Sequence, residues 1–135
     1  MNEQPQWQPI SMLPIIADMI NDMLQASLEQ LDSMRLAVLR PHVMDNATTF
    51  RVIKVYTEQL KFHWVYEEQL SRWTIASSND QQRKDINRLI EQAKRLREAD
   101  EEILKLAHTI EPETIDKILA TDEVELAGKM IGKDI

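Results

Sequence analysis

Apolar residues recur along this chain at alternating spacings of three and four, and that rhythm constrains the fold more than any other feature. In the first long run, Leu13, Ala17, Ile20, Leu24, Ser27, Leu31, Met34 and Val38 fall on one line. In the last, Ile86, Leu89, Ala93, Leu96, Asp100, Ile103, Ala107 and Ile110 do the same. Such spacing keeps one stripe of an α-helix facing a lengthwise neighbour, whereas a strand would alternate by two. A middle run over 48–73 is also helical in pattern but apolar around more of its circumference. The expected class is all-α: an up-down-up bundle of three long antiparallel helices, followed by two short C-terminal helices.

Local signals set the expected boundaries. Ser11 is positioned to cap helix one, Ile10 and Ile15 to close a hydrophobic staple, and Pro14 falls in the first turn. Pro41 ends that helix near residue 39. Asp45 or Asn46 caps helix two, which runs out near residue 74. Asn79 or Asp80 starts helix three, which continues to about residue 108. Each long helix then has about 27 residues and spans about 40 Å. Connections of about six residues make successive helices antiparallel. Glu111 and Pro112 read as a new helix start, with Ile115, Ile118 and Leu119 on its apolar face. A second short helix is expected from Thr121 or Asp122. It carries Val124, Leu126, Ala127, Met130 and Ile131, with Gly132 as its C-cap. The division expected is one domain over 1–135: an extended arm over 1–10, three long helices over 11–110, and short helices over 111–135.

A chain of 135 residues with two glycines and five prolines suits one compact core with few connections. Cysteine is absent, which removes thiolate metal sites and thiol nucleophiles. The start Met1-Asn2-Glu3-Gln4-Pro5 lacks the basic, then apolar pattern of a signal peptide. No apolar run approaches the ~18–20 residues of a membrane span. A soluble cytoplasmic protein with no membrane partner is the expectation. The net charge of −7 opposes general nucleic-acid binding. Charge is also uneven: Arg83, Lys84, Arg88, Lys94, Arg95 and Arg97 crowd the first half of helix three, against the preference of the helix dipole. The acidic first half of helix one, with Asp18 and Asp22, is the expected counterweight.

Helix two carries the functional argument. Ile53, Tyr56, Leu60, His63 and Trp64 form one apolar face, and Val55, Phe62, Tyr66, Leu70 and Trp73 extend it to an arc of roughly 200°. Two neighbouring helices rarely cover so much, so either the C-terminal helices or a second subunit must close over it. Val55, Phe62, Tyr66, Leu70 and Trp73, with Met19 and Met23 of the methionine-rich helix one, are the interface candidates.

Polar residues on apolar faces are the candidates for chemistry: Tyr56, His63, Glu67 and Asp100. His63 and Glu67 lie four apart and share a face, the minimum of a metal site. A di-iron bundle needs a Glu-x-x-His pair on each of two helices, and none occurs. A hairpin centred near Ser77 and Ser78 would bring Asp100 level with Tyr56 and leave His63 about 12 Å away along the axis. Asp100 is therefore expected to accept from the Tyr56 hydroxyl, and Glu67 to pair with a base near Arg88. No Gly-rich phosphate loop and no Gly-x-Ser-x-Gly elbow is present. The expectation is a non-enzymatic, self-associating interaction or scaffold protein, homodimeric and without a cofactor. The alternatives are a bundle holding a metal or small ligand between helices two and three, through His63 and Glu67, and an acidic regulatory partner of another protein.

Overall fold

The computed structural model describes residues 5–114 together with 116, 119 and 120. Among the described residues every regular element is helical, and there is no strand. A 3₁₀ turn at Ile10–Met12 leads into α1 (Leu13–Leu39). A second at Pro41–Val43 precedes α2 (Asn46–Lys61) and α3 (His63–Ala76). α4 (Asp80–Ile110) follows and closes in a 3₁₀ turn at Glu111–Glu113. α1, the α2–α3 pair and α4 are the three main helices. None is long and apolar enough to cross a membrane.

Caps fix two of the starts. The Asp45 carboxylate accepts from Thr48 N at 2.6 Å, and the Asn79 side chain accepts from Gln82 N at 2.8 Å. Each satisfies a backbone N–H that the first helical turn leaves without a partner. The start of α1 differs from expectation. Ser11 lies within the 3₁₀ turn, Met12 holds the cap position without a side-chain bond, and Pro14 occupies the first turn. Ile15 is exposed, so no staple closes; Ile10 packs instead beside Leu13 and Ile20.

Helix two is not continuous. Phe62 N donates to Gln59 O at 3.1 Å and Val65 N to Phe62 O at 3.0 Å, so the backbone tightens to a three-residue step there. α3 thereby starts with a new rotation relative to α2. No proline or glycine marks the position.

The level of α4 against α2–α3 also differs from the expected hairpin. Ser77 and Asn79 are both extended, so α4 begins beyond the end of α3. Gln59 and His63 meet Asp100, and Glu67 meets Arg97, about one to two turns further along α4 than a hairpin centred near Ser77 and Ser78 would dictate. Trp73 and Leu70 pack with Ile86, Leu89 and Ala93 of α4 and with Leu13 and Ile20 of α1. At the other end, Val52 and Tyr56 pack with Ile103, Ala107 and Ile110 and with Leu31 and Met34. These are two separate apolar clusters, and a polar layer lies between them. Both α1 and α2–α3 pack mainly on α4 and far less on each other.

Glu111, Pro112 and Glu113 finish α4 rather than open a helix, and Thr114 leaves in extended conformation. Its hydroxyl donates to Asn46 Oδ1 at 2.6 Å, and Asn46 N donates to Asp116 Oδ2 at 2.6 Å, returning the chain to the start of α2. The apolar faces expected from Ile115, Ile118, Val124, Leu126, Ala127, Met130 and Ile131, and the Gly132 cap, lie outside the described residues.

Candidate functional site

The stripe of α4 is interrupted by Asp100 and that of α1 by Ser27, and the two interruptions meet. Ser27 Oγ donates to Asp100 Oδ1 at 2.7 Å. From α2, Gln59 Nε2 donates to Asp100 Oδ2 at 2.6 Å and reaches Ser27 Oγ at 3.2 Å. From α3, His63 Nε2 donates to the same Oδ2 at 3.0 Å. Each of the four helices thus sets one side chain in a single network around one carboxylate, and neither His63 nor Asp100 has any exposed surface. A buried carboxylate is tolerated when donors surround it, and here three do. His63 Nδ1 is the one buried side-chain nitrogen or oxygen among the described residues without a hydrogen bond.

Two tyrosines border this layer. Burial, then the charge of Asp100, pushes the Tyr56 phenol above its ordinary range, with the Ser27 hydroxyl working in the opposite direction. Burial, again followed by Asp100, raises Tyr66. The Tyr66 ring stands edge-on to His63, with ring centres 6.2 Å apart, and its hydroxyl reaches Met23 Sδ at 3.8 Å.

The arrangement corrects the expected pairing. Asp100 bonds to Ser27, Gln59 and His63, not to Tyr56, because α4 meets α2–α3 about one to two turns out of the symmetric register. The same displacement takes Glu67 away from Arg88. It is exposed and pairs with Arg97, whose Nε donates to Oε1 at 2.8 Å. His63 faces inward and Glu67 outward, so the two do not converge on one ion. No group of three or more His, Cys, Asp or Glu side chains converges at ligand spacing among the described residues.

Serine, histidine and aspartate in one cluster invite comparison with a hydrolytic triad. That chemistry needs histidine between serine and carboxylate, so that the imidazole takes the hydroxyl proton. Here the carboxylate stands between, and His63 has no bond to Ser27. Neither the groove between α1 and α4, about 440 Å³, nor that between α3 and α4, about 360 Å³, is lined by any of the four residues. What this geometry does is hold four helices at one level.

Leu70 and Trp73, expected at an interface, are buried within the chain. Part of what covers them is the N-terminal segment, which lies outside any helical pattern. Gln8 O accepts from Trp73 Nε1 at 2.9 Å and from Gln69 Nε2 at 3.2 Å, and Gln8 N donates to Gln69 Oε1 at 2.7 Å. Trp7 stands edge-on to Trp64 at 6.3 Å, and the Arg72 guanidinium lies 4.4 Å from its ring centre. The other interface candidates remain accessible: Phe62 is 58% exposed, Val55 46% and Met19 36%, with Met23 and Tyr66 half-buried beside each other.

The expected counterweight to the bases of α4 is also different. Asp18 and Arg88 border one groove, yet no ion pair within 4.0 Å joins an α1 acid to an α4 base among the described residues. Arg83 pairs with Asp80 at 3.2 Å and Arg88 with Asp85 at 2.6 Å, both on α4 itself. Ser27 and Gln59 were the residues missed. The available signal was that Ser27 and Asp100 are the two polar breaks in otherwise small or apolar stripes. Comparison with known proteins finds no matching family model, curated protein or solved structure.

Proposed function

We propose that the protein is a non-enzymatic, cytoplasmic scaffold or interaction module that self-associates as a homodimer, built as an up-down-up bundle with short helices in its C-terminal tail. The apolar side chains left exposed beside α1, at Met19, Val55 and Phe62, carry this reading. Where such side chains adjoin, exposed apolar surface marks an association site. Light scattering at micromolar concentration is expected to give about twice the chain mass of 15.8 kDa. A single 15.8 kDa species at every concentration would refute the proposal.

A second reading rests on the groove between α3 and α4. Leu70, Thr74, Ile75, Ile90 and Ala93 line it, and it offers about 360 Å³ to a small apolar ligand. Saturable binding of a small apolar fluorophore, lost on Ile90→Glu, would favour it.

A further inference from the structure

The proposed homodimer leaves open which helix meets which, and unpaired charge on the two flanking helices answers that. α1 carries four acids, Asp18 in the α1–α4 groove and Asp22, Glu29 and Asp32 beyond it, against one base, Arg35. α2 carries three bases, Arg51, Lys54 and Lys61, against one acid, Glu58. All are exposed, and among the described residues only Asp32 and Arg35 form an ion pair, at 3.9 Å. α3 adds no free acid: Glu67 pairs with Arg97 and Glu68 with Arg72. Between the two flanks Tyr66 of α3 meets Met23 of α1, and Met19, Val55 and Phe62 are exposed apolar side chains of the same helices and their junction.

Two copies can close this patch face to face about a two-fold axis in only two simple ways. An axis across the helices sets α1 on the partner's α1 and α2 on the partner's α2, opposing acids to acids and bases to bases. An axis along the helices sets α1 of each copy on α2–α3 of the other, opposing acids to bases. Like charges across an interface repel, whereas opposite charges steer and fix the docking. We infer that the protein dimerises through this patch about an axis along its helices, α1 of each copy packing antiparallel on α2–α3 of its partner, an inference that rests on the self-association proposed above. That axis preserves level. The contacts Met23 to Tyr66 and Ser27 to Gln59 set the level of α1 against α2–α3 within one copy. Continuing it antiparallel puts Ser33 beside the partner's Val55.

The chain has no cysteine, so single introduced thiols are unambiguous. Ser33→Cys and Val55→Cys chains, prepared separately and mixed, are treated with a short bis-maleimide. A mixed cross-linked dimer is expected, with little dimer from either variant alone. In parallel, Lys54→Glu with Lys61→Glu is expected to raise the dimer dissociation constant about tenfold or more, and adding Asp22→Lys with Glu29→Lys in the same chain to restore it. Cross-linked Ser33→Cys homodimers, or no effect of the α2 reversal, would overturn this arrangement while self-association stood. A wild-type monomer by light scattering would remove both. Circular dichroism of each variant checks that the exposed substitutions leave the helices intact.

Discussion

His63 Nε2 lies 3.0 Å from Asp100 Oδ2 with neither side chain exposed, and this contact ties the first turn of α3 to the middle of α4. Because Gln59, four residues earlier, donates to the same oxygen, the two donors span the tightened turn at Phe62 and hold both of its sides to one atom.

Removing that atom strands its donors. Asp100→Ala leaves Ser27, Gln59 and His63 buried without their acceptor, and is expected to destabilise the fold by about 3–5 kcal/mol. Ser27→Ala removes one hydroxyl and is expected to cost about 1 kcal/mol. Urea denaturation of both variants and their double mutant measures the terms. Additivity of the two would show that the Ser27–Asp100 bond carries no coupling.

Both tyrosines of the chain hold their protons above the ordinary phenol value of 10.0. A raised value means that the folded chain keeps protons which the unfolded chain has released. Their contribution to stability is therefore complete below pH 10.0 and is lost as pH climbs through the raised folded values. Phenolate absorbance is expected to appear late and together with loss of helical circular dichroism. Tyr56→Phe is expected to make the alkaline transition shallower. Two ordinary phenol titrations preceding any unfolding would contradict this.

At acid pH the cap of α2 titrates with the opposite sign. The backbone N–H of Thr48 holds the Asp45 carboxyl below its usual 3.8, so its contribution is present above that value and lost as pH falls through the depressed one. Asp45→Asn keeps a capping oxygen and is expected to flatten the acid limb of stability against pH. Asn79→Ala, at the start of α4, is expected to cost about 1 kcal/mol at any pH. Thermal melts across the acid range distinguish the two caps.

The N-terminal segment is expected to be a stabilising cover rather than a loose tail. Trp7→Ala removes a ring contact to Trp64 and the cation–π contact of Arg72, for an expected loss of about 1–2 kcal/mol. Hydrogen exchange at the Trp73 indole, whose Nε1 donates to Gln8 O, is expected to accelerate in the same variant. Unchanged exchange would show that the backbone of Gln8 stays docked without Trp7.

The stripes of α1 and α4 were readable because a periodic seam needs only local information. Leu13, Ile20, Leu24, Ser27, Leu31 and Met34 are buried on α1, and every stripe residue of α4 from Ile86 to Ile110 is buried. Level was not readable in the same way. Which residues of α2–α3 Asp100 meets, Gln59 and His63 rather than Tyr56, depends on how the chain crosses from Ala76 to Asp80, which no periodicity records. The break at Phe62 was also hidden, since it lacks the proline or glycine that announces one. Ser27 was visible as a polar residue on a stripe, but only the meeting of α1 with α4 gives it a partner. Trp73 looked like an interface residue because its cover comes from Gln8, distant in sequence and outside any helical pattern.

The central placement of α4 bears on how the chain is made. α1 and α2–α3 pack mainly on α4 and little on each other, yet α4 spans residues 80–110 and is synthesised after both. Until it emerges, the buried faces of the earlier helices have no lasting partner, and most helical stability in a protein comes from such tertiary packing. The order of synthesis therefore opposes vectorial folding here: a nascent chain ending at residue 79 would present Trp73, Leu70, Ile20 and Met34 to whatever surrounds the ribosome. Chains arrested before α4 are the ones expected to engage chaperones or aggregate, and emergence of α4 is the event that closes both apolar clusters.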